Sequence, residues 1–231
     1  MGIYAIADLH LSLSSNKSME KFAGWENYVH RIQENWSKVV MPEDTVVLPG
    51  DVSWGMSLQE SLEDFRFLDN LPGEKLLCKG NHDYWWTSKS KMEQFFEENG
   101  LTTLKILHNN CIVRQGLILC GSRGWLFENG EPHDQKILAR EAGRLSLSLS
   151  AANGLEGERI AFLHYPPVFG TEVSPEILDV LHQFQVKRCY YGHIHGYGHN
   201  LALNGMYDGI DFRLVSADYL KFSPLKVVNE D

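Results

Sequence analysis

Apolar residues recur along this chain with two periods. Ile3 to Ala7 is a short run of strand character, and a polar Ser/Asn/Lys stretch separates it from Phe22, Trp25, Val29, Ile32, Trp36 and Val39. Steps of three and four residues put those six on one stripe of a helix, which Pro42 ends. Thr45 to Leu48 is the next strand-like run. Beyond it Leu58, Leu62, Phe65 and Leu68 mark a second helix, with Ser57 as N-cap three residues before Glu60. Leu71-Pro72-Gly73 turns the chain into a strand over Leu76 to Cys78. Ser88 to Asn99 reads as a helix closed by Gly100.

Ile112-Val113 and Leu117-Ile118-Leu119 predict a hairpin turning near Gln115-Gly116. A helix from about Asp134 to Ala152 carries Ile137, Leu138, Ala142, Leu145 and Leu149 on its buried stripe, and Pro175 to Phe184 is another. Ile160 to Leu163 and Cys189 to Tyr191 are strand-like. The tail from Met206 to Phe222 alternates, predicting two antiparallel strands around Gly209. Strands alternating with helices early and hairpins later predict a mixed α/β architecture.

Five polar motifs follow five of these strand-like runs: Asp8-Leu9-His10, Gly50-Asp51, Gly80-Asn81-His82-Asp83, His164 and Gly192-His193-Ile194-His195. At strand ends they lie on loops that can converge. Residues two apart on an extended segment project to one side, so Asp8 with His10, and His193 with His195, can each address one locus. Carboxylate, imidazole and amide donors without thiolate suit Mn²⁺, Fe²⁺ or Zn²⁺. Glycine before Asp51, Asn81 and His193 permits sharp turns. Any one of these motifs is common by chance; the ordered set is not.

In order and composition the motifs closely resemble the calcineurin-like metallophosphoesterase family, in its bacterial, single-domain form. The resemblance implies two packed mixed β-sheets flanked by helices, an α/β/β/α sandwich. It implies two divalent transition-metal ions, Mn or Fe ahead of Zn, that share a hydroxide. Asp8, His10 and His195 would hold one ion, Asn81, His164 and His193 the other, and Asp51 would bridge both. His82 would orient the phosphate and protonate the leaving oxygen, and Asp83 would hold the imidazole, a helix N-cap being the alternative role for Asp83. The implied reaction is hydrolysis of a phosphomonoester or phosphodiester.

Other residues refine the picture. Arg123 stands after an apolar strand in Gly121-Ser122-Arg123-Gly124-Trp125, a placement from which a guanidinium clamps a substrate phosphate, with a surface salt bridge as the plain alternative. Trp54, Trp85 and Trp86 follow metal motifs and are core residues or a substrate wall; Trp25 and Trp36 are core. His30, His108, His133, His182 and His199 belong to no motif, although His199 closely follows the last ligand.

Gly50-Asp51-Val52-Ser53-Trp54-Gly55 lacks the arginine of the protein Ser/Thr phosphatase element, and His82 stands where lipid A pathway hydrolases commonly carry arginine. A net charge of −9 without a basic strip disfavours long nucleic acid. Two bound cations would still make the pocket locally positive, which suits a small phosphorylated substrate, nucleotide-like molecules included. A protein phosphatase, a nuclease and a non-catalytic metal-binding scaffold stand as alternatives. Four widely spaced cysteines, no leader-like segment and no bilayer-length apolar stretch predict a cytoplasmic protein without a membrane partner. With no linker, and with ligands from Asp8 to His195, residues 1–231 read as one domain. The oligomeric state has no sequence signal.

Overall fold

The computed structural model describes residues 1–126 and 132–227. In chain order the elements are β1 (Ile3–Ala5), α1 (Tyr28–Val39), β2 (Thr45–Leu48), α2 (Leu62–Asn70), β3 (Glu74–Leu77), α3 (Lys89–Glu98), β4 (Leu104–Ile106), β5 (Cys111–Arg114) and β6 (Leu117–Ser122). There follow α4 (Pro132–Ser150), β7 (Glu158–Leu163), β8 (Val168–Phe169), β9 (Glu172–Val173), α5 (Pro175–Gln183), β10 (Arg188–Tyr191), β11 (Gly205–Tyr207), β12 (Ile210–Leu214) and β13 (Leu225–Lys226).

Two helix starts differ from the periodicity. Phe22 does not begin α1; it follows a 3-10 turn over Met19–Lys21 and is half exposed. Gly24 and Asn27 both take left-handed φ, which breaks the helix until Tyr28. Ser57 caps a separate turn: its Oγ accepts from Glu60 N at 3.2 Å while Glu60 Oε2 accepts from Met56 N at 2.8 Å. The helix proper starts at Leu62. Both hairpins turn as expected, on Gln115-Gly116 and Asp208-Gly209, each pair with positive φ as a two-residue turn requires.

β8 and β9 pair in a small antiparallel sheet of their own; of the two large sheets, one has the order β13-β1-β2-β3-β4 and the other β11-β12-β10-β7-β6-β5. β1 to β4 are parallel to their neighbours, as are β12, β10, β7 and β6, with antiparallel strands only at the edges. Their runs are apolar because both faces are covered. Ile3, Ala5, Val47 and Leu76 of one sheet pack with Leu119, Ile160 and Phe162 of the other. The outer face of the first sheet packs under α1, α2 and α3 through Ile32, Trp36, Phe65 and Phe96, and that of the second under α4 and α5 through Leu138, Leu145, Ile177 and Leu181. The four layers are those of an α/β/β/α sandwich. Ala7, just past β1, bridges Ser216, just past β12, which brings the carboxyl ends of the two sheets to one edge. Crevices at such ends are where α/β folds place ligands.

Trp25, Trp36 and Trp85 are buried core residues. All four cysteines are free thiols. No helix among the described residues is long and apolar enough to cross a membrane. The side chain of His133 lies outside the described residues.

Candidate metal centre

All five motifs lie at that shared edge, but their local backbone is not the extended one the spacing suggests. Asp8, His10, Asp51 and His193 have φ of 59°, 46°, 53° and 72°. Left-handed L-residues cost on the order of 1–3 kcal/mol each and persist only where surrounding contacts enforce them. Here the loops enforce them on each other: Asp8 N donates to Gly50 O, and His10 N to Asp51 O, both at 3.0 Å. Of the three motif glycines only Gly50 needs its freedom for a turn, at φ 90°. Gly80 and Gly192 are there for close approach. A Cβ on Gly192 would lie 2.6 Å from Asp8 Oδ2, and one on Gly80 would overlap the Asp51 carboxylate.

The donor atoms form two groups around one carboxylate. Asp51 Oδ2 lies 3.7 Å from His10 Nε2 and 3.5 Å from His164 Nε2. With His10 stand His195, whose Nε2 is 3.4 Å from His10 Nε2, and Asp8, whose Oδ1 is 3.9 Å from His195 Nε2. With His164 stand Asn81, its Oδ1 2.5 Å from His164 Nε2, and His193, its Nδ1 3.1 Å from that same oxygen. Asp8, His10 and His195 can hold one metal ion, and Asp8, Asp51 and His164 also lie within reach of a single ion. His164 Nδ1 lies 3.0 Å from Pro49 O, to which it can donate, so Nε2 is the nitrogen left to face the centre.

The electrostatics fit cations. Burial pushes His164 down to about 3, His193 to about 2 and His10 well below the ordinary imidazole range, so these rings are neutral at neutral pH, the form that ligates metals. Asp8 and Asp51 are pushed up to about 8 and about 6, first by burial; His195 pulls Asp8 back and Asp51 raises it further, while the His82 amide pulls Asp51 back. Two crowded, buried carboxylates and a set of neutral imidazoles form a site that a divalent cation would stabilise. His195 departs from its neighbours: burial lowers its pKa, but the Asp218 hydrogen bond and Asp8 outweigh that and take it up to about 9.

Outer contacts hold these donors. Asp218 was not evident from the sequence, since it stands alone after the last apolar strand. Its Oδ1 is 3.0 Å from His195 Nδ1 and its Oδ2 accepts from Gly196 N at 3.1 Å, the carboxylate-imidazole arrangement that orients metal ligands. His199 Nε2 is 3.3 Å from Asp218 Oδ2. Asp83 corrects both expectations for it. Its carboxylate accepts from the amides of Asp51, Val52 and Gly80 and from Trp85 Nε1, at 2.7 to 3.0 Å, so it fixes the metal-motif loops instead of the His82 ring. The α3 N-cap is Ser88.

His82 donates its backbone N–H to Asp51 Oδ1 at 2.8 Å, and its partly exposed ring has Nδ1 3.3 Å from Tyr84 Oη. Trp54 stacks on His10 at 4.9 Å and meets His82 at 4.4 Å, making it a wall of the centre. Trp86 lies away from these rings, against Trp85 and His108. Arg123 holds the next loop through its backbone, its carbonyl accepting from His164 N and Tyr165 N at 3.1 and 2.9 Å. Its guanidinium is largely buried and lies 3.3 Å from Glu141, so it is not a surface salt bridge.

The profile of the calcineurin-like phosphoesterase family matches residues 1–197. The Gene 66 protein of Mycobacterium phage D29 is 33% identical over 81 residues, 35% of this chain and 40% of that protein, so the match spans less than half of the relative's length. Among solved structures, phosphopantetheinyl hydrolase (PptH) from Mycobacterium tuberculosis superposes with a TM-score of 0.58 at 14% identity, over 99% of this chain and 96% of that one. Protein AQ665 from Aquifex aeolicus gives 0.53 at 16% identity over 97% and 94%. TT1561 of Thermus thermophilus gives 0.53 at 13% identity over 84% and 81%. At these identities the likeness is one of fold.

Proposed function

We propose that this chain, which belongs to the calcineurin-like phosphoesterase family, is a single-domain, two-metal hydrolase of a small phosphomonoester or phosphodiester, nucleotide-like molecules included. The observation that carries this reading is that one carboxylate oxygen, Asp51 Oδ2, lies near ring nitrogens of both groups, 3.7 Å from His10 Nε2 and 3.5 Å from His164 Nε2. Asp8, His10 and His195 would hold one ion, Asn81, His164 and His193 the second, and Asp51 both. Mn or Fe is favoured over Zn because the donor set mixes imidazole with carboxylate and amide oxygen and contains no thiolate.

When bound, two such ions supply positive charge that acidifies water and offsets the charge of phosphoryl oxygens. The protein's own groups do the rest. The left-handed loops fix the donors in place, and Asp218 and Pro49 O orient His195 and His164. His82, partly exposed at the rim and not needed as a ligand, is placed to protonate the leaving oxygen; Tyr84 Oη, beside Nδ1, can steady the ring. Trp54 walls the side of His82. Arg123 supports binding of an anionic part of the substrate beyond the scissile phosphate.

A small substrate is favoured because the chain carries a charge of −9, which opposes long polyanions. Free cysteines support a reducing, cytoplasmic setting. Turnover across a panel of phosphomonoesters and of linear and cyclic diesters, with metal content measured on the same sample, tests the reading. Metal-dependent hydrolysis of at least one small ester is expected. A fully loaded protein inert to the whole panel would instead favour a binding scaffold.

A further inference from the structure

An apolar pocket adjoins the metal centre at His195. It encloses about 410 Å³, and Met19, Phe22, Ala23 and Trp25, from the segment before α1, line it together with His195 and Asp218. That is the size of a small-molecule site. The pocket exists because the helical stripe breaks: Gly24 and Asn27, with left-handed φ, separate the 3-10 turn over Met19–Lys21 from α1. Trp25 is thereby buried while Phe22 stays half exposed. The Trp25 ring stands edge-on to the rings of His10 and His195 at 6.0 and 5.7 Å, so the wall of the pocket is built on the ligand group itself. Trp125, close before segment 127–131, packs instead on Tyr165 and through it beside His193, in the other ligand group.

The lining calls for an apolar occupant. Its two polar side chains direct their polar atoms elsewhere: His195 Nδ1 is held by Asp218 Oδ1, His195 Nε2 lies 3.4 Å from His10 Nε2 in the ligand group, and Asp218 Oδ2 accepts from Gly196 N. What remains is a half-exposed phenyl ring, an indole and the adaptable thioether of Met19. A ring suits that surface better than an alkyl chain. Trp25 already packs edge-to-face with Tyr28 and Phe222 at 5.5 and 5.1 Å, and an aromatic occupant would extend the same cluster.

We propose that this pocket receives an apolar aromatic group of the substrate, borne by the phosphate that meets the metal motifs. The substrate class is then an aryl or arylalkyl phosphoester. Because His195 lines the pocket and also belongs to the ligand group, the link between ring and phosphate is short. Phe22 and Ala23 determine specificity: Phe22 forms a wall, and the small side chain of Ala23 leaves the space open. This rests on the phosphoesterase reading for the phosphate.

Calorimetric titration of the manganese-loaded protein with phenyl-, benzyl-, phenethyl- and phenylpropylphosphonate, each against methylphosphonate, tests it without turnover. At least one aryl compound should bind about tenfold or more tightly than methylphosphonate, as burial of a phenyl ring predicts. The advantage, taken as a ratio within each variant, should shrink about threefold or more in Phe22→Ala, which removes a wall, and in Ala23→Leu, which fills the space. Both positions are exposed, so both variants should fold, and methylphosphonate binding reports an intact centre in each. Methylphosphonate binding without an aryl advantage, or an advantage that both variants leave intact, would overturn the pocket alone. A loaded protein that binds none of the phosphonates would overturn both the pocket and the phosphoesterase reading. An aryl advantage lost in the variants, in a protein that hydrolyses no phosphoester, would overturn the enzymatic reading and leave the pocket standing.

Discussion

The Asp83 carboxylate accepts the backbone N–H of Asp51 at 2.9 Å, so one acid sets the place of the other without touching the oxygens that Asp51 presents to the centre. The same carboxylate takes the amides of Gly80 and Val52 at 2.7 and 2.9 Å, tying the Gly-Asp and Gly-Asn-His-Asp loops into one unit.

An amide at position 83 would keep one acceptor oxygen and turn an NH₂ toward amides that also donate. Asp83→Asn should therefore loosen the loops and lower metal affinity about 10–100-fold, the usual effect of losing an outer-layer partner. Competition against a graded chelator reads this directly. Unchanged affinity would show that the Asp83 contacts do not position Asp51.

His82→Ala should keep its metals, because no ligand group needs that ring, yet lose turnover by about 10²–10⁴-fold on esters with alkoxide leaving groups. The defect should shrink with nitrophenyl esters, whose leaving group departs without a proton. An equal loss on both would mean that His82 positions substrate or supports the centre.

What the sequence made legible follows the range of the forces involved. The five strand-like runs and their order were readable because burial on both sides leaves near-continuous apolar segments, and the hairpins because Gln115-Gly116 and Asp208-Gly209 are turn chemistry. The start of α1 was not. Phe22 and Trp25 fit a helical stripe, and it is Gly24 and Asn27, with their left-handed φ, that override the pattern. The motif residues Asp8, His10, Asp51, Asn81, His164, His193 and His195 do meet at one edge, but by strained loops and not by the alternation of a strand. Asp218 stayed hidden because an isolated aspartate carries no local signal, and its part comes from a contact with His195, 23 residues away.

Stability should carry the mark of a buried lysine. Lys75 has no exposed surface, donates to Leu71 O and Gly73 O at 2.6 and 2.7 Å, and is lowered by burial from 10.5 to about 8. Between those values the unfolded chain holds a proton that the folded protein has released, so this residue makes stability rise with pH across the window. Below about 8 the charged, folded lysine bears its full desolvation cost. Lys75→Met should flatten that rise in denaturant titrations made at intervals across the window. An unaltered slope would contradict the assignment.

Anomalous scattering from crystals grown with manganese tests the central claim most directly. Two peaks about 3.5–4 Å apart, the usual spacing in two-metal hydrolases, should lie with the Asp51 carboxylate between them, one beside Asp8, His10 and His195 and the other beside Asn81, His164 and His193. A single peak, none, or peaks away from these seven residues would contradict it.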